Sequence, residues 1–347
     1  MAVRSAFEMG GVDVAPGTRQ TVQLPLGVLS NHTPMTLPVQ VVHGRREGPV
    51  LFVSAAVHGD EIIGVEIVRR LLRQPALKQL RGTLIAVPIV NAFGFINHSR
   101  YLPDRRDLNR CFPGSGDGSF AGRLAHLFLS EVVARADLGI DLHSAAIHRT
   151  NLPQIRVSPS KPETMDLALA FGAPVVITSK LRDGSLREAA KEKGVDVLLY
   201  EAGEGLRFDE MAIRTGVAGI LRIMHGLGMV ARRAIAPARV TSILSAKSSW
   251  LRAPEGGILR AYKGIGAMAE KGEVVGVISD PFGETDIEIE AGEPGLVIGR
   301  TNLPIVNQGD ALFHIARVRK PDTAEARIGA LAEQLGEAAI FDEDEII

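Results

Sequence analysis

Cysteine, tryptophan and tyrosine are scarce in this chain, which has one, one and three of them among 347 residues. Cys111 cannot form a disulfide within the chain, so a reducing compartment is expected. No apolar run approaches the roughly 20 residues of a membrane-spanning helix. The first 20 residues also lack the apolar segment of a signal peptide. The sequence therefore predicts a cytoplasmic protein with no membrane partner.

An excess of charge of one sign is also missing. Lysine and arginine number 39 and aspartate and glutamate 40, so the net charge is −1. This balance gives no broad attraction for nucleic acid, and no nucleic-acid partner is expected. Hydrophobic residues make up 46% of the chain, enough for a large core, and the length suggests two domains.

Apolar strands alternate with amphipathic helices through most of the chain. Strands are predicted at 20–26, 37–43, 50–57, 83–90, 138–142, 174–178 and 195–200. Helices are predicted at 61–74, 119–136 with Ser119 as N-cap, 186–194 and 208–228. This alternation predicts an α/β fold, with a mostly parallel or mixed sheet covered by helices on both faces.

The composition changes near residue 235, and short strands punctuated by glycine follow from 249 to about 317. We predict an α/β domain over 1–235, a smaller β-rich barrel or hammerhead-like module over 236–320, and a helical, acidic tail over 321–347. The module resembles the biotinyl/lipoyl hammerhead. However, its turn reads "SDPFGE", without the lysine that such carriers display, so a structural role is expected. An exposed strand edge there would allow homo-oligomers.

Three of the predicted strands end in reactive side chains. The first leads to His58 and Glu61, the second to His143 and the third to Glu201. In open α/β sheets, ligands bind beyond the carboxyl ends of the strands, so these side chains are expected to meet. Two imidazoles and a carboxylate are a set that binds catalytic zinc and leaves a position for water. A further carboxylate can act as the base for that water.

Plainer interpretations exist for each residue. Glu61 could do no more than complement the dipole of a helix N-terminus. His143 could be a buried structural histidine, and Glu201 could be an ordinary carboxylate at the end of a strand. Because all of these would have to hold at once, the pattern favours one Zn²⁺ per chain. Two other functions stay open. One is a cysteine hydrolase built on Cys111, whose thiol pKa Arg110 could lower. The other is a non-catalytic small-molecule binding protein.

The loop at 99–118 contains four arginines. Arginine binds carboxylates with two parallel hydrogen bonds, so Asn109 and Arg110 would suit an anionic group of a substrate. A solvated basic loop is the alternative interpretation.

The motifs "HGDE", "DLNRCFPG", "DLHS" and "YEAGEG" occur in this order over most of the chain. In motif and spacing the sequence resembles the succinylglutamate desuccinylase/aspartoacylase family, a branch of the zinc carboxypeptidase-like fold. The resemblance implies a zinc-dependent enzyme that hydrolyses the amide bond of a small N-acyl amino acid.

The resemblance also implies a role for each matching residue. The zinc ligands would be His58, Glu61 and His143, with Glu201 as general base and acid. The remaining matches concern the substrate and the support of the site. They are Asn109 and Arg110 for a substrate carboxylate, Asp107 for orienting the first zinc histidine, and Arg100, or alternatively Arg105, for polarising the scissile carbonyl.

Two departures from the family pattern bear on the substrate. Aspartoacylase-like members carry an arginine shortly before the catalytic glutamate, where this chain has Lys191 and, further back, Arg187. They also place a tyrosine late in the C-terminal module, whereas the last tyrosine here, Tyr262, comes too early. Both departures argue against N-acetylaspartate and succinylglutamate. Deacylases of other small N-acyl amino acids, such as acetylated diaminobutyrate, are closer in pattern. Asp60 is expected only to cap the helix or support a ligand.

Overall fold

The structure, a computed structural model, describes residues 4–318 except 233, 234, 236, 237, 239 and 240. The predicted acidic tail over 321–347 lies outside the described residues. The first ten strands are β1 (Phe7–Met9), β2 (Val12–Val14), β3 (Thr18–Val28), β4 (Pro34–His43), β5 (Arg46–Ala55), β6 (Arg81–Val87), β7 (Leu138–Ala145), β8 (Arg149–Val157), β9 (Val175–Thr178) and β10 (Asp196–Glu204).

A mixed sheet of 13 strands forms the centre of the described chain. Its middle is parallel, in the order β10-β7-β5-β6. On one side β4 and β3 continue it as antiparallel strands, and on the other β8 pairs antiparallel with β10. The carboxyl ends of the four parallel strands therefore lie along one edge, where ligands are expected to bind.

Helices cover both faces of this sheet. They are α1 (Ile63–Leu72), α2 (Ala92–Ile96), α3 (Phe120–Glu131), α4 (Pro162–Ala170), α5 (Leu186–Glu192) and α6 (Glu210–Gly226). One apolar core includes residues of α1, α4 and α6, and a second includes residues of α3 and α5. Alternate residues of β5 supply the two cores, Leu51 and Val53 the first and Phe52 the second. The predicted α/β fold is confirmed.

Packing around Phe52 shows how small residues shape the second core. Its ring meets that of Phe128 edge to face, with centroids 5.9 Å apart. On the neighbouring strand, a Cβ added to Gly139 would lie 2.1 Å from the Phe52 ring. Glycine therefore makes room for the ring between β5 and α3, which keeps β5 seated against its neighbours.

The remaining strands follow in the chain, and most of them form a C-terminal β module. They are β11 (Ile243–Ser245), β12 (Ser248–Arg252), β13 (Gly257–Ala261), β14 (Met268–Ala269), β15 (Val274–Ser279), β16 (Asp286–Glu290), β17 (Gly295–Thr301), β18 (Ile305–Val306) and β19 (Ala311–Arg317). Four of them form a sheet of their own, in the order β16-β15-β13-β18. The order β12-β19-β17 instead continues the central sheet, because β17 pairs with β8.

The other predicted elements agree in type, with shifted ends. Ser119 caps α3 as predicted, since its hydroxyl accepts a hydrogen bond of 3.2 Å from the backbone N–H of Gly122. The strand β8 and the helix α4 were not predicted. Across the described residues, no helix is both long and apolar enough to cross a bilayer.

Candidate active site

The connection between β5 and α1 carries the first two predicted metal ligands. Gly59 lies against α2, where an added Cβ would be 2.0 Å from the carbonyl carbon of Gly94. The expectation that Glu61 belongs to the first helical turn was wrong, because α1 begins at Ile63. A tight turn, in which Glu61 N–H donates to the carbonyl of His58 at 3.1 Å, comes before the helix.

His58, Glu61 and His143 converge at the edge of the sheet. The Nδ1 atom of His58 lies 2.6 Å from one carboxylate oxygen of Glu61, and Nδ1 of His143 lies 2.7 Å from the other. All three residues are buried, and one ligand atom from each falls within 4.8 Å of the other two. This group could hold a metal ion.

The outer ring nitrogens of both histidines contact further carboxylates. Nε2 of His58 lies 3.1 Å from Asp107, and Nε2 of His143 lies 2.7 Å from Asp141. The hydroxyl of Ser54 donates to Asp141 at 2.7 Å. Carboxylates in this position usually orient histidines that bind metal. The donor set and its support therefore fit Zn²⁺ with a position left for water.

The electrostatics of the cluster are dominated by buried, opposite charges. Burial alone would lower the pKa of His143, but Asp141 and Glu61 outweigh it and raise that pKa well above its usual value. Burial opposes ionisation of Glu61, yet His58 and His143 hold the pKa of this carboxyl far below its usual range. The carboxylate of Glu61 is therefore held in its charged form.

Arg100 links the metal cluster to the loop at 99–118. Its guanidinium donates to Asp107 at 2.8 Å and to Glu61 at 3.3 Å. Burial would raise the pKa of Asp107, but His58 and Arg100 bring it far below its usual value. Arg105, the alternative, is exposed and does not line the cavity that opens over the cluster. Of the two candidates for polarising a scissile carbonyl, the geometry therefore favours Arg100 over Arg105.

Glu201 stands beside His143 on the neighbouring strand. The two residues are direct partners in the parallel pairing of β10 with β7, so their side chains share a face. The Asn151 side chain donates to one Glu201 oxygen at 2.6 Å, and Arg156 lies 3.2 Å from the other. Both partners come from β8, which explains why they were not foreseen.

The cavity over these residues has a volume of about 340 Å³. The predicted site residues that line it are His58, Glu61, Arg100, Asn109, Arg110, His143 and Glu201. Asp107 does not line the cavity but contacts His58 and Arg100, which do. The Asn109 side-chain oxygen accepts a hydrogen bond of 2.9 Å from Leu186 N–H, which ties the loop to the start of α5.

Other lining residues were missed, mainly arginines and one tryptophan. They are Arg149, Asn151, Arg156, Arg182, Trp250 and Arg252. Of the two basic residues weighed before Glu201, Arg187 lines the cavity, whereas Lys191 donates to the carbonyl of Ser158 at 3.3 Å. Tyr262 is exposed and lies outside the lining.

Cys111 is poorly placed for nucleophilic catalysis. Its thiol donates to the carbonyl of Asp107 at 3.3 Å and does not line the cavity. Burial raises the pKa of this thiol, which outweighs the lowering effect of Arg106. The expected lowering by Arg110 is therefore wrong, and the less nucleophilic thiol form is favoured.

Fold and cavity together define an α/β protein with a possible metal site and an arginine-rich cavity at one sheet edge. The chain belongs to the succinylglutamate desuccinylase/aspartoacylase family. The family description "Succinylglutamate desuccinylase/Aspartoacylase catalytic domain" matches residues 47–227, more than half of the chain. The predicted family is thereby confirmed, and it is a family of deacylases that act on N-acyl amino acids.

Individual relatives cover different shares of the chain. N-alpha-acetyl-L-2,4-diaminobutyric acid deacetylase of Halomonas elongata is 27% identical over 294 residues, 81% of this chain and 86% of the relative. Succinylglutamate desuccinylase of Pseudomonas aeruginosa is 32% identical over 136 residues, 35% of this chain and 39% of the relative. The solved succinylglutamate desuccinylase/aspartoacylase from Rhodobacter sphaeroides has a TM-score of 0.77 and 25% identity, covering 86% and 96% of the two chains.

Proposed function

We propose that this protein is a zinc-dependent deacylase that hydrolyses the amide bond of a small N-acyl amino acid. The observation that carries the proposal is the meeting of His58, Glu61 and His143 with Glu201 in one cavity. A metal-binding triad leaves room for water and substrate, and the adjacent carboxylate supplies the base that hydrolysis needs.

His58, Glu61 and His143 would hold the zinc ion. When bound, Zn²⁺ supplies a water with a pKa lowered to about 7 and polarises a carbonyl as a Lewis acid. Glu201 accepts the proton of the attacking water and passes it to the leaving amine. Asn151 and its neighbour Arg156 hold the Glu201 carboxylate in place for this transfer.

Three further residues act on the substrate. Arg100 reaches the metal cluster from the loop, where its guanidinium can stabilise the negative oxygen that forms on the attacked carbonyl. Asn109 and Arg110 line the cavity and bind the carboxylate of the amino acid. Asp107 and Asp141 orient the two histidines by contacting their Nε2 atoms.

The alternatives have less support. A cysteine hydrolase would need a thiol in the cavity, and Cys111 is not there. A protein that only binds a small molecule would have no use for Glu201 held by two partners next to a metal-binding triad.

The decisive variant is Glu201→Gln, which keeps the shape of the side chain but removes the base. We expect the zinc-loaded variant to bind zinc as the parent does and to lose roughly 100-fold to 10,000-fold of turnover. The assay is a hydrolysis screen over N-acetyl and N-succinyl amino acids, with metal analysis of both proteins.

The matched control is Glu204→Gln on the same strand. Glu204 accepts hydrogen bonds from His148 N–H at 2.9 Å and from Asn302 at 2.8 Å, outside the cavity lining. The Glu204→Gln variant should leave turnover unchanged. Full activity of Glu201→Gln would overturn the assignment.

A further inference from the structure

A second cavity lies at the edge of the central sheet opposite the candidate active site. It is lined by Arg46 and Arg81, where β5 and β6 begin, whereas the carboxyl end of β5 leads to His58. Because β5 has 10 residues and a strand advances about 3.3 Å per residue, the two sites lie roughly 30 Å apart. We call this second site the basal cavity, and a small ligand within it cannot touch the metal cluster.

The lining of the basal cavity is strongly basic. Among the described residues that line it there is no aspartate or glutamate, and its volume is about 880 Å³. Its cationic residues are Arg19, Arg45, Arg46, Arg73, Lys78 and Arg81. Cations that share a cavity without an acid between them repel one another, so the basal cavity favours an anion.

Arg46 and Arg81 give the most specific sign of a ligand. They are direct partners in the parallel pairing of β5 with β6, so their Cα atoms lie about 5 Å apart. Both are exposed, and neither has a carboxylate ion pair within the described part of the chain. The acid next in sequence, Glu47, pairs with Arg4 instead, at 3.4 Å. Like charges on paired residues destabilise a sheet, and an anion bound between them would remove the repulsion.

Two further cations show what the fold itself accounts for. Arg19 donates to the carbonyl of Leu72 at 2.7 Å, at the end of α1, where a helix dipole attracts a cation. Arg45 instead lies across Gly17, since a Cβ added to that glycine would be 2.5 Å from Nε of Arg45. The helix end therefore explains Arg19, whereas Arg45 has no carboxylate partner among the described residues.

Beneath the cations, the floor of the basal cavity is apolar. Its buried lining residues belong to the core that packs α1 and α6, and they are Val42, Leu77, Leu80, Met229 and Val230. Cavities of this size, with an apolar surface and a few polar groups, are typical of small-molecule sites. A phosphate group has three acceptor oxygens and up to two charges, so one group can contact two guanidinium groups.

We infer that the basal cavity binds a phosphorylated organic molecule, with its phosphate between Arg46 and Arg81 and its organic part against the apolar floor. Binding there needs neither the metal cluster nor amide hydrolysis, so it is independent of the proposed function. His43 also lines the cavity, but its Nδ1 lies 2.9 Å from the Thr83 hydroxyl and its Nε2 lies 3.0 Å from the Ser5 carbonyl. Both ring nitrogens are thus engaged within the protein, and the site is one for binding.

Calorimetric titration of the zinc-loaded full chain with AMP tests the inference, because AMP joins a phosphate to a planar organic group. We expect AMP to bind about tenfold or more tightly than adenosine or inorganic phosphate, each of which lacks one half of the ligand. Arg46→Gln and Arg81→Gln should each weaken AMP about tenfold or more. No binding of AMP, equal binding of adenosine, or no loss in either variant would overturn the site.

Two control variants locate the binding. Arg182 lines the cavity over the metal cluster, which could also attract an anion. Arg207 is exposed, donates to the carbonyl of Leu206 at 2.8 Å and lines neither cavity. Arg182→Gln and Arg207→Gln should each change AMP affinity by no more than about twofold. A loss in Arg182→Gln that exceeds the loss in Arg81→Gln would assign AMP to the active-site cavity, and an equal loss in Arg207→Gln would show a general charge effect. Either result would refute the basal site.

Thermal unfolding distinguishes a ligand site from a structural role of the same arginines. Without AMP, Arg46→Gln and Arg81→Gln should unfold at the temperature of the parent or above it, because each removes one of two repelling charges. AMP should raise the Tm of the parent and not that of the variants. A fall of several degrees in the variants without AMP would show that the arginines stabilise the fold, contrary to the inference. Tighter binding of hexaglutamate than of AMP would assign the cavity to an acidic protein segment and overturn the organic phosphate.

Discussion

The lining of the candidate active-site cavity has two parts that are built in different ways, a metal wall formed by His58, Glu61 and His143 and an outer wall formed by Arg149, Trp250 and Arg252. At the metal wall, His58, His143 and Glu61 are buried, and each has hydrogen-bond partners. At the outer wall, Arg252 is exposed and Arg149 only partly buried, and neither has a carboxylate partner among the described residues.

This difference separates two physical tasks. A metal site must hold its ligands in one geometry before the ion arrives, so its supporting contacts lie within the protein. A site for an anionic ligand instead needs groups whose interactions the ligand completes, and the arginines of the outer wall lack carboxylate partners among the described residues. Substitutions at the two walls should therefore have different consequences.

The largest effect is expected from His143→Ala at the metal wall. Loss of one of three ligands should abolish stable zinc binding and lower turnover roughly a thousandfold or more. Elemental analysis after gel filtration checks the metal. His126→Ala, an exposed histidine on α3, is the control and should keep both. A His143→Ala protein that retains one zinc per chain would contradict the ligand set.

Asp141→Asn should have a smaller effect, because it keeps the ligands and removes only the charge behind His143. Zinc affinity should fall roughly 10-fold to 100-fold, as measured by competition with a chelating dye. The control is Asp137→Asn, just before β7 and exposed, where the carboxylate accepts a hydrogen bond of 2.8 Å from Val50 N–H. Unchanged affinity in Asp141→Asn would show that Asp141 does not orient the ligand.

At the outer wall, His314→Phe should change the pH dependence of stability. The pKa of His314 is lowered to about 3 in the folded protein, mainly by burial, and an unfolded histidine titrates near 6.5. Its contribution to stability is therefore fully present above about pH 6.5 and is lost as the pH falls towards 3.

Phenylalanine keeps an aromatic ring under Trp250, on which the His314 ring stacks, but does not titrate. Between pH 6.5 and 4 the unfolding free energy of His314→Phe should fall less steeply than that of the parent, by up to about 1.4 kcal/mol per pH unit. Urea unfolding at several pH values measures the two slopes. Parallel slopes would mean that His314 is protonated in the folded state.

The smallest effect is expected from Cys111→Ser. Because the thiol donates only to the Asp107 carbonyl and lies outside the cavity, turnover should stay within about twofold. A chelator should inactivate both proteins equally. Loss of activity in Cys111→Ser, or activity of the parent in the presence of a chelator, would support the alternative hypothesis of a cysteine hydrolase.

More residues of the metal wall than of the outer wall could be predicted from the sequence. His58, His143 and Glu201 each follow or end an apolar strand, so a parallel sheet brings them to one edge without knowledge of distant contacts. Asp141 could also have been found, since residues two apart on a strand share a face and it precedes His143 by two.

The outer wall had no comparable local signal. Arg149 and Trp250 are about a hundred residues apart in sequence, and they meet because β17 pairs with β8 and β12 pairs with β19. Strand pairing between an α/β domain and a later β module is a tertiary outcome that periodicity does not encode. The start of α1 was misplaced for a different, local reason, because the turn that begins at His58 takes the place of the first helical residues.

The pairing of β17 with β8 also has a consequence for how the chain can be divided. A protein shortened to the first 235 residues would lose β17, and Thr150 and Asn151 would lie on an open strand edge. The side chain of Leu152, which now packs with Leu296 and Ile298, would be uncovered. Such an edge invites pairing with other chains, so the shortened protein should aggregate instead of behaving as an independent unit.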